Sequence, residues 1–282
     1  MRVKAKYGLV YSTRDLAGTG IAEHVISIGG FDVEGVIDGR KYFRGLDGKA
    51  VLASFNEDVI YFDFLDKYID ADVFIVLSRH SSEARVKTLS AHHPGNPTEK
   101  ALYGGKPLTL AYSSPIVLSI LFRKLYEVAR EKELIKEYDV VLEATHHGPT
   151  DVSKPVVFIE IGSSEEEWKD ERAREVVALA VVEAIKLLEE NSFSDVKIAI
   201  GFGGGHYPRK FTSLVIKGEY CLGHILAKYA LDKVRRSVIE QMMYKSNPRP
   251  EYALIEKKSV KSAIRKDITE LVGELGLKVI YV

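Results

Sequence analysis

Six of the chain's eight histidines fall in four short stretches, at His80, His92-His93, His146-His147 and His206. Imidazole in such numbers suits two kinds of chemistry. Neutral imidazole is a common Zn²⁺ ligand, and a three-ligand site with an open position lowers the pKa of bound water to about 7. Alternatively, a histidine near its own pKa takes a proton from water, a contribution of about 10² to 10⁴ in rate. The spacing matches no named zinc signature such as H-E-x-x-H, so the residues alone leave both chemistries open. Candidate metal ligands are His80, His92, His93, His146, His147, Glu160 and His206; candidate catalytic groups are His146, His147, His206 and Glu160. Glu160 could complete a metal set, orient a histidine or simply form an ion pair at a strand end.

The pair His146-His147 precedes Gly148-Pro149 in a loop with no structural need of two imidazoles. Neighbouring side chains of an extended segment point to opposite faces, so one can line a pocket while the other braces it. His92-His93 precede the turn formers Pro94-Gly95-Asn96-Pro97, which predict an irregular loop, either a lid or a connection. His24 and His224 read as structural.

Gly203-Gly204-Gly205 stands immediately before His206 and close to Arg209-Lys210. Successive glycines let amide N–H groups converge on an anion or a carbonyl oxygen, and the alternative is a flexible turn. Ser78, Arg79, Thr145 and Ser163 occupy polar loops and join Gly203, Gly204, Gly205, Arg209 and Lys210 as candidate substrate-binding residues. Arg79 could meet a carboxylate, a phosphate or only Glu83. Ala17-Gly18-Thr19-Gly20 lacks the rest of a dinucleotide fingerprint and reads as a helix entry.

Positioning these residues requires strands that end beside them. Short apolar, β-branched runs predict strands at 7–11, 51–55, 73–77, 140–142, 156–161, 196–200, 214–216 and 278–281. Their near-continuous hydrophobicity suggests cover on both faces. Helical periodicity predicts helices near 115–136, 165–190, 231–244 and 260–275, the second opened by a Ser164/Glu167 capping box. The alternation predicts an α/β fold, an open, largely parallel or mixed sheet flanked by helices. The strands at 73–77, 140–142, 156–161 and 196–200 each run into a polar, Gly-rich or His-bearing loop. If they are parallel, those loops meet in one crevice at the sheet's carboxyl edge.

The 282 residues suit a single catalytic domain, 1–282, with a basic subregion at 209–266 that holds fourteen Lys/Arg against five Asp/Glu. The whole chain carries forty of each, so its net charge is zero and any polyanion contact must come from such a local patch. The bland alternative is solvated helix faces. One cysteine, Cys221, excludes an intramolecular disulfide and fits a reducing compartment. The sequence shows neither a signal-peptide pattern nor a membrane-length apolar run, so a cytoplasmic protein is expected, without membrane contact or an obligate protein partner.

Three blocks carry a resemblance: 144–150 (ATHHGPT), 158–164 (FIEIGSS) with Trp168, and 203–209 (GGGHYPR). With Tyr11-Ser12, Asp15 and the block 77–81 (LSRHS), they resemble the archaeal and plant type of D-aminoacyl-tRNA deacylase over essentially the whole chain. The resemblance implies hydrolysis of D-aminoacyl-tRNA to free tRNA and a D-amino acid, a Zn²⁺ cofactor, a monomer or weak oligomer, and a phosphorylase/hydrolase-like fold. Alternatives from the residues are a zinc aminopeptidase, a nucleoside phosphorylase-like enzyme, or a non-catalytic RNA-binding module that uses the basic third.

Overall fold

The computed structural model describes residues 2–83 and 85–282. Two sheets position the site. The larger contains β1 (Tyr7–Ser12), β2 (Asp32–Ile37), β3 (Arg40–Gly45), β4 (Ala50–Phe55), β5 (Val73–Arg79), β6 (Thr88–His92), β7 (Asp139–Leu142) and β8 (Val156–Gly162). Across the sheet the order is β7-β6-β8-β5-β1-β4-β3-β2. Strands β8, β5, β1 and β4 run parallel, and β4 and β8 are buried along their whole length. That double cover is the reason their sequences read as unbroken apolar runs. The smaller sheet, β10-β9-β11-β12, is parallel throughout, built from β9 (Ile198–Phe202), β10 (Cys221–Leu226), β11 (Tyr252–Ile255) and β12 (Lys278–Tyr281).

The expected parallel delivery of four strands to one edge needs correction. β6 lies between β7 and β8, antiparallel to β8 and parallel to β7, so β7 runs against β5 and β8. β9 lies in the other sheet. The fold is nevertheless α/β with a mixed sheet flanked by helices. One apolar cluster joins both sheets through α1 (Leu16–Gly29), α2 (Pro115–Glu131) and α3 (Glu171–Glu190), with Leu9, Ile21, Leu125, Val177, Ile159, Ala199 and Leu254 among its members.

Several element boundaries differ from expectation for local reasons. The run 214–216 is not a strand but the end of α4 (Arg209–Ile216), where Phe211, Leu214 and Val215 bury one helical face. A short apolar run alone does not distinguish these outcomes. The helix expected over 165–190 divides into Glu165–Trp168 and α3, because Asp170 caps a new start by accepting from the Arg172 amide at 2.9 Å. The Ser164/Glu167 capping box forms as expected. The helix expected over 231–244 is replaced by Lys228–Leu231 and α5 (Arg236–Tyr244), and α6 covers Ser262–Glu274. Among the described residues no helix is long and apolar enough to cross a membrane.

Asp15 ties α1 to the site strand. Its Oδ1 accepts from the Gly18 amide at 2.9 Å and its Oδ2 from the Arg79 amide at 2.8 Å, with the residue 1% exposed. Gly18 lies so close to β5 that a Cβ would stand 2.5 Å from Leu77 O. Asp15→Ala is expected to lower unfolding free energy by ~2 kcal/mol, a helix cap plus one strand-end contact, measurable by urea denaturation.

Candidate active site

Adjacent strands of the large sheet deliver the first three groups. His80 follows β5 with its amide on Ile161 O at 2.8 Å, Glu160 lies on β8 opposite Ser78, and His92 ends β6 opposite Phe158. His92 thus closes a strand, whereas an irregular loop was expected there. The stretch after β7 continues the register for one residue, Glu143 N–H bonding Ala91 O at 3.1 Å, then crosses to the smaller sheet. Ala144 N–H bonds His206 O at 2.9 Å and Thr145 N–H bonds Ile225 O at 2.8 Å. That crossing, rather than parallel strand ends, brings His146 and His147 to His206.

Five imidazoles, of His80, His92, His146, His147 and His206, surround the carboxylates of Glu143 and Glu160, each 2% exposed. Glu143 Oε1 stands 3.1 Å from His80 Nδ1, and its Oε2 is 2.7 Å from His206 Nε2 and 3.5 Å from His146 Nε2. Glu160 Oε2 lies 3.5 Å from His80 Nδ1 and 3.7 Å from His92 Nε2. Ring centroids are 4.3 Å apart for His92 and His146, 4.3 Å for His146 and His147, and 4.6 Å for His146 and His206.

Electrostatics sorts these groups. Burial pushes the Glu143 carboxyl up, but His206, His80 and His146 overcome it and hold it well below the ordinary range. Burial likewise opposes ionisation of Glu160, and His80 and His92 bring it down to about 2. His80 is desolvated, yet Glu143 and Glu160 raise it to about 10. His147 goes the other way: burial and His92 lower it to about 4, which keeps its ring neutral.

The uncommitted atoms matter most. His146 Nδ1 lies 2.8 Å from Ala144 O and His147 Nδ1 2.6 Å from Gly148 O. A carbonyl only accepts, so each Nδ1 carries the proton and each Nε2 keeps its lone pair. His92 Nδ1 similarly faces His93 O at 3.2 Å, while its buried Nε2 has no hydrogen-bond partner. Both Glu143 oxygens also lack a well-aligned hydrogen bond. Donor atoms within 4.8 Å of one another form the groups His92/His146/His147, His80/Glu143/His206 and His92/Glu143/Glu160.

The other candidates occupy varied positions. His93 lies behind the cluster, its Nδ1 on Val156 O at 2.8 Å, and burial lowers it to about 4. Its ring neighbours His224, whose two ring nitrogens are engaged by Thr145 Oγ1 and Ala111 O at 3.0 Å each. His24 pairs with Glu171 on the surface side of α1. Arg79 pairs with Asp58 at 2.7 Å and Asp15 at 3.7 Å rather than with Glu83. The buried hydroxyls of Ser78 and Ser163 donate to Arg79 O and Val86 O. Gly203 N–H is spent on Leu226 O and Gly204 N–H on the Ser259 hydroxyl, so neither is available as an anion donor. Gly205 has open space around it. Arg209 pairs with Asp139 at 2.6 Å, and Lys210 is exposed beside it.

Two residues of the site were not singled out from the sequence. Glu143 ends a buried strand three residues before His146, a usable signal, but Glu160 took the carboxylate role. Tyr207, whose hydroxyl is hydrogen-bonded to His80 Nε2 at 2.8 Å, follows His206 and gave no signal of its own.

The cluster floors a cleft that opens into two cavities, of about 760 Å³ and about 560 Å³, both lined by Tyr103, His146, His147 and His206. Such concave space above a polar floor is what a bound substrate requires.

Comparisons with known proteins agree with this architecture. The protein-family model described as D-aminoacyl-tRNA deacylase matches residues 67–280. A curated D-aminoacyl-tRNA deacylase of Staphylothermus marinus is 45% identical over 98% of this chain and 99% of its own, and that of Aeropyrum pernix is 40% identical over 98% and 100%. A crystal structure described as a conserved protein of unknown function superposes with a TM-score of 0.88 at 34% identity, over 98% of this chain and 95% of that one. By its matched length and its identity to these relatives, the chain belongs to the D-aminoacyl-tRNA deacylase family.

Proposed function

We propose that the chain hydrolyses the ester joining a D-amino acid to tRNA, in the cytoplasm, at the floor of the histidine cleft. The observation that carries the reading is the convergence of five imidazoles on two buried carboxylates beneath that cleft, in a chain of this family. An aminoacyl ester is activated, so a positioned water, a base and a charge stabiliser suffice without a covalent nucleophile.

The donors fit Zn²⁺. The Nδ1 contacts of His146 and His147 leave their Nε2 lone pairs to a ligand, His92 Nε2 is buried without a hydrogen bond, and the Glu143 oxygens, though in ion-pair range of His80 and His206, have no well-aligned one; buried groups left so cost about 1–3 kcal/mol each, which a cation would relieve. His92, His146 and His147 would hold the ion, with Glu143 and Glu160 supplying charge. When bound, the ion would lower the pKa of water at the site to about 7.

The chain's own residues supply the rest. His206, partly exposed in both cavities, is the group placed to take a proton from water, and Glu143 Oε2 at 2.7 Å orients its ring. His80 is held by Glu143, Glu160 and Tyr207 and is a source of positive charge beneath the cleft. The exposed Lys210 would meet tRNA phosphates, with binding that weakens as salt rises. Arg209, Arg235 and Arg236 already face carboxylates and would have to exchange them.

The test is release of D-tyrosine and L-tyrosine from their tRNA esters, with a chelator and then with zinc restored. We expect hydrolysis of the D-ester, sparing of the L-ester, loss on chelation and recovery with zinc. No release of D-tyrosine overturns the proposal; activity that ignores the chelator, in protein without bound metal, overturns its metal part.

A further inference from the structure

The two cavities differ in chemistry, and the difference assigns them. The larger is lined by Leu102, Tyr103 and Tyr229, which are 74%, 66% and 58% exposed. Large side chains held that open to solvent, facing one cavity, are unusual for a wall with nothing to cover it. Around them stand Lys100, Lys233 and Arg235. Among the described residues Lys100 and Lys233 have no acidic partner, and Arg235 is paired with Glu99 in an exposed ion pair, the kind of contact worth little and readily exchanged. The smaller cavity is lined instead mainly by polar groups, the buried or paired Ser78, Arg79, Asp58 and Glu160 with the exposed Ser81 and Glu83, and among the described residues has no exposed aromatic other than the shared Tyr103 and no unpaired cation.

Exposed rings beside unpaired cations are the combination that single-stranded nucleic acid demands, since bases stack on the rings while phosphates meet the cations. We propose, on the basis of the deacylase reading above, that the larger cavity seats the unpaired 3′ end of the tRNA. The terminal base stacks on Tyr229 with Tyr103 as a second ring of the same cavity, and Lys233 and Lys100 neutralise the adjoining phosphates. His146, His147 and His206 line both cavities, so the scissile ester lies at their junction and the aminoacyl group enters the 560 Å³ side.

This arrangement makes Tyr229 a binding residue that acts on every aminoacyl ester equally, whereas a wall of the amino-acid pocket would act in proportion to side-chain size. The experiment compares wild type, Tyr229→Ala, Tyr229→Phe and Lys233→Ala on D-tyrosyl- and D-alanyl-tRNA, together with binding of an uncharged oligonucleotide ending in CCA. Tyr229→Ala is expected to raise KM and weaken oligonucleotide binding by about 5- to 150-fold, alike for both esters, with kcat little changed and Tyr229→Phe restoring binding. Lys233→Ala is expected to weaken binding and reduce its salt dependence. Tyr229 is exposed, so a melting temperature equal to wild type confirms that the fold is intact. Unchanged oligonucleotide binding in Tyr229→Ala, or a KM effect confined to the tyrosyl ester, overturns the assignment while the deacylase reading stands. Wild type that binds the oligonucleotide but releases no D-amino acid overturns that reading instead.

Discussion

Glu143→Gln is expected to lower kcat/KM for D-aminoacyl-tRNA by about 10³-fold, the largest loss from any isosteric change in the chain. The substitution keeps shape and removes charge. In the native site one carboxylate faces His80 at 3.1 Å, His206 at 2.7 Å and His146 at 3.5 Å, so a single group orients rings from both sheets. A glutamine would present an amide N–H to one of those nitrogens, which fixes the wrong tautomer on whichever ring it meets. Orientation of His206 is lost together with one of the two negative charges that would hold a cation over the floor. The effect on stability should be smaller, ~1–3 kcal/mol, because the imidazoles can discharge and need not stay buried as unpaired cations. Single-turnover deacylation, metal content and thermal melts of Glu143→Gln and Glu143→Asp check this. Near-native kcat/KM in the glutamine variant would remove Glu143 from the machinery.

The chemistry of the site was more legible than its route of assembly. Histidine pairs beside Gly and Pro announce themselves by residue type, and continuous apolar runs locate β1, β4, β5 and β8, because strands covered on both faces carry few polar positions. The direction of β7 is not written in its own four residues. It follows from β6, a strand whose sequence, Thr88–His92, contains two polar residues and a histidine, all buried. Such a strand escapes any pattern based on hydrophobicity, and with it went the true place of His92. Glu143 was passed over for a related reason: a carboxylate at the end of an apolar strand reads as the point where the chain meets solvent, whereas here it is 2% exposed because imidazoles from elsewhere in the chain satisfy its charge. Residue type signals chemistry locally; burial of polar groups depends on distant partners, and a single sequence does not display them.

Gly162→Ala should be nearly as damaging, although Gly162 carries no reactive group. Gly162 ends β8 opposite Thr88, and the His80 side chain lies directly over it. A Cβ there would stand 2.8 Å from His80 Cβ, from His80 Cδ2 and from Thr88 Oγ1, closer than carbon atoms approach. His80 cannot yield freely, because its main chain is pinned by Ile161 O at 2.8 Å and Trp168 Nε1 on its own carbonyl at 2.9 Å, and its ring by Tyr207. Overpacking of this kind costs about 1–3 kcal/mol. The ring that does move leaves Glu143 and Glu160, and a displacement near 1 Å in a catalytic constellation costs about 10²-fold in rate. The expected signature is therefore a kcat loss of that size with modestly lowered thermal stability and KM for tRNA unchanged, since the exposed rings of the larger cavity lie elsewhere. Gly273→Ala, in α6 with nothing within 4 Å of the added methyl, is the matched control, expected to leave kcat unchanged and stability equal or slightly higher. Equal kinetics in the two alanine variants would show that His80 can be displaced without consequence and that the carboxylate–imidazole contacts beneath the cleft do not govern the reaction.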